Sequence, residues 1–178
     1  PQDAFEWMCY LLFCNEFRVI TGIFRYKNQS AIETNPISSN GINIGWQAKF
    51  YDTALSSHKN DLLETIAKAK RDYPDLNKII FYTNSEWGQS KGKEPQGKVE
   101  VEKKAKENNL EIEWRCCSFF ESPFVVDDCS RITSYFFTRS DNLFRLLESF
   151  ESHSCAILDD IETTITFGDE YVSINRSD

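Results

Sequence analysis

At 178 residues the chain has room for one domain of ordinary size, or for one domain with an appendage. An apolar content of 40% that includes fourteen Phe fills a real core, and no apolar run approaches the ~18–20 residues of a membrane span. The net charge of −8 argues against a polyanion partner, but it is unevenly held. Residues 1–110 carry fifteen Lys or Arg against fourteen Asp or Glu, and residues 111–178 carry five against fourteen. The acidity therefore belongs to the C-terminal third, and the first part is neutral.

The six Cys do not form a disulfide or zinc framework. Cys116 and Cys117 are adjacent, no CxxC pair exists, and neither His58 nor His153 stands at ligand spacing to a Cys. Reduced thiols in a cytoplasmic protein are the expectation. The opening "PQDAFEWMCYLLFCNEF" has no basic leader and carries Glu6 within its apolar run, so it does not read as a signal peptide. A start on Pro1 rather than Met is expected of a piece of a longer protein.

Residues 3–15 predict a helix capped by Asp3, with Phe5, Met8, Leu12 and Phe13 at helical spacing. Residues 17–26 have the aromatic and β-branched character of a strand, with Gly22 as a candidate bulge. A short strand follows over 31–37, and "SSNG" at 38–41 predicts a hairpin because Asn40-Gly41 readily takes positive φ. The next strand, 42–51, places Ile42, Ile44, Trp46, Ala48 and Phe50 on one face and Asn43, Gly45, Gln47, Lys49 and Tyr51 on the other.

Ser56 or Ser57 caps a helix to about Tyr73, whose buried stripe is Leu62, Ile66, Ala69 and Tyr73. The run "NKIIFYTN", 77–84, reads as a central strand covered on both faces. A polar loop over 85–98, a charged helix over 98–109 and a strand over 110–116 complete the pattern. Alternating strands and helices from 42 to 116 imply parallel pairing with right-handed crossovers, to which the front hairpin adds antiparallel strands. The fold class is α/β, a mixed sheet flanked by helices over 1–125. Residues 126–178 form a small α+β extension: a helix begun by Asp141 and a hairpin over 161–176 around Gly168-Asp169. No GxxxxGK[ST] loop is present.

Strand alternation brings Gln47 and Lys49 to one face, and the hairpin offers Glu33 as a cross-strand partner. Glu6 would join them if the first helix packs across the sheet. A carboxylate, an amide oxygen and an ammonium make a set suited to phosphodiester hydrolysis. Mg²⁺ or Mn²⁺ takes oxygen ligands, here Glu33, the Gln47 side chain and the Ala48 carbonyl, and Lys49 orients water or stabilises charge on phosphorus. Spacing alone leaves two readings open, a solvated polar face and a catalytic set.

The order of a helix with Glu6, "IET", then "QAK" fourteen residues on, then a helix and "KIIFYTN", resembles the PD-(D/E)xK nuclease superfamily. The "QAK" form is similar to its Mrr-like branch. The stretches "AIETNPI", "IGWQAKFYD", "KIIFYTNSEWGQ" and "EIEWR" look like nuclease domains at the front of bacterial antiviral STAND NTPases. This resemblance covers about residues 4–125. It implies a restriction-endonuclease-like core with Glu33 as first acid, Gln47 and Lys49 as second motif, and Glu6 as helical acid. It also implies a double-stranded DNA substrate, downstream NTPase and sensor regions, and homo-oligomers on activation. Two departures stand out: Glu33 where Asp is usual, and Gln47 where a carboxylate is usual. The second lowers the negative charge offered to a cation.

Smaller features keep two readings each. Asp52 is a strand-end residue or a group behind the site. Thr83 and Asn84 end a central strand, where α/β sites collect, or cap a turn. The loop lysines Lys91, Lys93 and Lys98 meet a phosphate backbone or solvent. Trp46 and Trp114 are expected in the core. A nuclease-derived module that binds without catalysis, and a nuclease for RNA, remain the alternatives.

Overall fold

A computed structural model describes residues 2–25, 31–88 and 92–136. It divides the chain into a unit ending at Ile132 and another beginning at Thr133. The expected Asp141 helix and 161–176 hairpin lie outside the described residues. Among the described residues no helix is long and apolar enough to cross a membrane.

The fold is mixed α/β. Helix α1 (Gln2–Glu16) leads into strands β1 (Ile37–Ser39) and β2 (Ile42–Lys49). Helix α2 (Lys59–Asp72), strand β3 (Lys78–Thr83), helix α3 (Gln96–Glu107) and strand β4 (Glu111–Arg115) follow. The sheet order is β1-β2-β3-β4. β1 pairs antiparallel with β2, and β2, β3 and β4 run parallel. Parallel strands need helical crossovers, and α2 and α3 supply them.

The β1–β2 turn forms as the sequence predicts, with Asn40 at φ 51° and Gly41 at φ 81°. The strand expected over 17–26 does not form. Arg18 and Gly22 both take positive φ there, which bends the chain out of extended geometry. Its one β-type pairing among the described residues is an isolated bridge between Arg25 and Thr34, outside the named strands, while Val19 and Ile23 pack on the core beside α1. The Tyr10 hydroxyl holds this segment instead, donating to the Ile23 carbonyl at 3.0 Å and accepting from the Ile23 N–H at 2.9 Å. Ile20, 95% exposed, and Phe24 point outward.

Both faces of the sheet are covered. On one, Trp46, Ile44, Ala48, Ile80 and Tyr82 pack against Cys9, Tyr10 and Phe13 of α1. Trp46 is fully buried, its ring centroid 5.7 Å from Phe13, and its indole N–H donates to Thr34 Oγ1 at 3.0 Å. On the other, Ile79 and Phe81 pack with Leu62, Ile66 and Ala69 of α2 and Val101 and Ala105 of α3. Trp114 is half-buried rather than core, stacked on Phe81 with its N–H on Glu102 Oε1 at 2.9 Å.

This second layer corrects one expectation. The Gly45–Gln47–Lys49 face of β2 is not a solvated outer face. Ile32 and Leu76 sit over Gly45, and Gln47 is 6% exposed. The expected Ser56 and Ser57 cap is also absent: both lie in a 3-10 turn, Leu55–His58, and α2 begins after His58 without a side-chain cap bond.

A buried cation ties the layers together. Arg115 on β4 donates to Glu16 at the end of α1, to Glu113 Oε1 at 2.7 Å and to the Tyr82 hydroxyl at 2.8 Å. Its guanidinium carbon lies 4.8 Å from the Phe119 ring centroid. Burial disfavours the charge, but the bonds to Glu16 and the neighbouring carboxylates hold the guanidinium firmly protonated.

A methyl added at Gly45 would lie 3.0 Å from Ile32 Cγ2 and 3.1 Å from Leu76 Cδ1. Gly45→Ala is expected to cost about 1–3 kcal/mol through overpacking, read from the midpoint of urea unfolding. The crowding falls on Ile32, the neighbour of Glu33.

Candidate active site

The polar cluster is built where the chain returns to β2 before the hairpin. The Glu33 N–H donates to the Trp46 carbonyl at 2.9 Å, which sets Glu33 beside Gln47 outside any regular strand. The expected strand over 31–37 is thus reduced to a few bonds, and β1 proper starts only after Pro36.

Glu33 is 8% exposed. Its Oε1 accepts from Gln47 Nε2 and, at a long 3.4 Å, from the Ala48 N–H. Burial pushes the carboxyl above the ordinary range. The Ala48 N–H, the charges of Arg25 and Lys49 and the Gln47 amide pull it back only in part. Gln47 Oε1 is buried with no hydrogen-bond partner. An orphaned oxygen beside a buried carboxylate is costly, unless a cation shares it.

Lys49 reaches a residue that sequence reasoning missed. Its ammonium lies 3.1 Å from Asp61 Oδ2 and 3.3 Å from Oδ1. Asp61 stands in the first turn of α2, next to Leu62 of the buried stripe. An acid adjacent to the apolar stripe of a helix that follows the motif strand is the signal that would have found it. The Tyr51 hydroxyl donates to Asp61 Oδ2 at 2.6 Å. Tyr51 itself is fixed by the His58 ring, stacked at 3.8 Å and 11°, and by Asn84, which bonds both its N–H and its carbonyl. Asn84 is therefore a clamp between the ends of β2 and β3.

The two carboxyls are pushed apart. Burial raises Glu33. Burial also works against Asp61, but the Tyr51 hydroxyl and the Lys49 charge hold Asp61 below the usual carboxylate range. Divergent carboxyls a strand apart are a recurrent property of sites that move protons or bind cations.

Glu6 is placed differently from the other three. It pairs with Arg25, whose guanidinium lies over Trp7 and Tyr10 at 5.1 and 5.3 Å. Arg25 bridges to Thr34, so Glu6 reaches the Glu33 segment through a cation rather than by contact. Asp52 is exposed. Thr83 is buried, and its hydroxyl accepts from the Ser85 N–H at 3.1 Å. Of the loop lysines, Lys91 lies outside the described residues and Lys93 is exposed. Lys98 is tied to Glu94 at 2.9 Å and Glu102 at 3.4 Å.

Among the described residues no three His, Cys, Asp or Glu side chains converge as a metal cluster. Donors of the kind present here, one carboxylate with amide and backbone oxygens, fall outside that pattern and suit a hard cation that keeps several waters. None of the five described cysteines is in a disulfide. No protein-family model matches the chain, and no curated protein matches it.

The raised Glu33 carboxyl sets the sign of a pH effect. A folded value above the unfolded one favours the protonated native state, so its contribution to stability is full at acid pH and is lost as pH rises. Glu33→Gln is expected to raise the thermal midpoint at pH 7–8. The gain should shrink as pH falls toward the ordinary glutamate value of about 4.3 and be gone below it, as followed by melts across pH.

Proposed function

We propose that the chain is a metal-dependent phosphodiester hydrolase, a nuclease effector domain of the PD-(D/E)xK kind. One observation carries the reading: Glu33 meets Gln47, two residues from Lys49 on β2, and the Gln47 oxygen is buried and unpartnered. Buried polar atoms usually have a partner, and a cation there would give the Gln47 oxygen one.

The residues fit a hard cation. Glu33 supplies the charged oxygen, and Gln47 Oε1 and the Ala48 carbonyl supply neutral ones. Turning the Gln47 amide over exchanges Nε2 for Oε1 beside Glu33, an arrangement repulsive without a positive charge between the oxygens and favourable with one. Mg²⁺ or Mn²⁺ held there would polarise a phosphate and lower the pKa of a bound water. Lys49 contributes the fixed positive charge, placed to steady the added negative charge on phosphorus and to orient water. Tyr51, bonded to Asp61 and half-buried, stays a neutral phenol and is not the base.

DNA is the substrate on this reading, with little sequence preference, in a protein of antiphage defence whose remaining parts are an NTPase and a sensor. What supports this is the likeness of the four sequence stretches to such domains. Lys98 and Lys49 already have carboxylate neighbours, which compete with base-specific contacts by these two residues.

The test is plasmid nicking by the full-length, activated protein with Mg²⁺ or Mn²⁺. Glu33→Ala and Lys49→Ala are each expected to lower the rate by about 10²–10³-fold. Wild-type rates in both variants would remove the assignment. No cleavage by the wild type on DNA or RNA, with no divalent-ion binding by calorimetry, would favour a binding module instead.

A further inference from the structure

The Lys49 ammonium needs a fixed position to act, and the strand alone does not give it one. A lysine side chain has four rotatable bonds beyond the backbone and a strongly hydrated head. In this fold the head is held from outside the strand. Asp61 lies 3.1 Å away, and its carboxylate is fixed in turn by the Tyr51 hydroxyl at 2.6 Å. Behind Tyr51 stand the His58 ring, whose Nε2 lies 2.8 Å from Thr53 Oγ1, and the two-bond Asn84 clamp. Each link is short and made by a side chain with few free torsions. One branch ends on exposed Thr53, and the other fixes the Tyr51 backbone to Asn84, just past β3.

We propose that Asp61 is a positioning residue for Lys49, holding the ammonium beside Glu33 and Gln47 for use on a phosphodiester. The inference rests on the reading of Lys49 as the cationic group of a nuclease. Asp61 acts through Lys49 and touches neither phosphate nor cation. It differs from an ordinary surface carboxylate on the same helix such as Glu64, which pairs with Lys68 at 2.6 Å and is exposed. A carboxylate that only fastened α2 to β2 would lower stability when removed. One that positions Lys49 lowers turnover and leaves substrate binding alone.

The experiment measures kcat and KM for nicking of supercoiled plasmid by the full-length protein with Mg²⁺. The variants are Asp61→Asn, Asp61→Glu, Tyr51→Phe, Lys49→Ala and Glu64→Gln. Asp61→Asn is expected to lower kcat by about 10–100-fold with little change in KM. Asp61→Glu should recover part of the loss, because it restores the charge but moves it by one methylene. Tyr51→Phe should lower kcat by roughly 2–10-fold, the loss of one hydrogen bond that steadies Asp61. Glu64→Gln should match the wild type. Wild-type kcat in Asp61→Asn, or a change confined to KM, overturns the proposal. If Asp61→Asn fails to fold, as shown by its melting curve, Tyr51→Phe decides, and an unchanged kcat overturns the proposal. If the wild type nicks and Lys49→Ala nicks equally, the reading of Lys49 falls and this inference falls with it. If the wild type cleaves nothing, the nuclease reading is what has failed.

Discussion

The hydrogen bond from the Glu33 N–H to the Trp46 carbonyl fixes which residues meet across the site. β2 is the strand on which both cores and the polar cluster depend, because its alternate side chains enter opposite layers. Trp46 fills the α1 side, while Gly45 and Gln47 enter the layer beneath α2 and α3. A shift of one residue between Glu33 and β2 would exchange these sets and put the carboxylate against an indole. Trp46 guards against that slip, since its indole N–H also bonds Thr34, the next residue along. The absence of a side chain at Gly45 lets Ile32 approach β2 closely. Register, core and carboxylate placement are therefore one constraint.

A second consequence is electrostatic. The same packing that seats Glu33 removes it from water, so its charged form is disfavoured until a cation is near. Asp61 has the opposite balance, since it keeps 45% side-chain exposure and has both a phenol and an ammonium as partners. Lys49 lies between the two, compensated on one side and facing a carboxyl that favours its proton on the other. On the nuclease reading, stability and function pull apart at Glu33 and together at Asp61. The Arg115 network, remote from this site, resembles Asp61 in that a buried charge is matched by several partners, and it serves to hold α1 against β4.

The parallel strands, their two crossover helices and the Asn40-Gly41 turn were legible because each is set by local chemistry: period-2 and period-3.6 apolar spacing and positive φ. The segment 17–25 was not. Its composition is that of a strand, but a hydroxyl thirteen residues away in sequence satisfies Ile23 and no neighbouring strand takes it up. The convergence of Gln47 with Glu33 was legible as a possibility, since alternation and a hairpin suffice to suggest it. What spacing does not contain is cover. The burial of Gln47 comes from tertiary packing around β2, where Glu33 bonds it, and Asp61 stands on α2, eleven residues beyond the chain's exit from the strand near Phe50. Glu6 illustrates the same limit from the other side. Its helix does cross the sheet, yet its carboxylate is taken by Arg25, from the segment that bends away from strand geometry.

On the nuclease reading, this distribution of charge has a consequence for how DNA is engaged. Lys98 sits between two glutamates, and Lys59 and Lys104 also pair with glutamates of α3, at 2.6 and 3.5 Å. A lysine already paired gives up part of its interaction when it meets a phosphate, and releases fewer counterions in doing so. These lysines would therefore add little electrostatic affinity for a duplex in a single copy, and the site would offer its cation one carboxylate. Both weaknesses are remedied in the same way. Copies held side by side raise the effective concentration of each site along the DNA without any new contact. On that reading, the low affinity of a single copy would make cleavage depend on assembly.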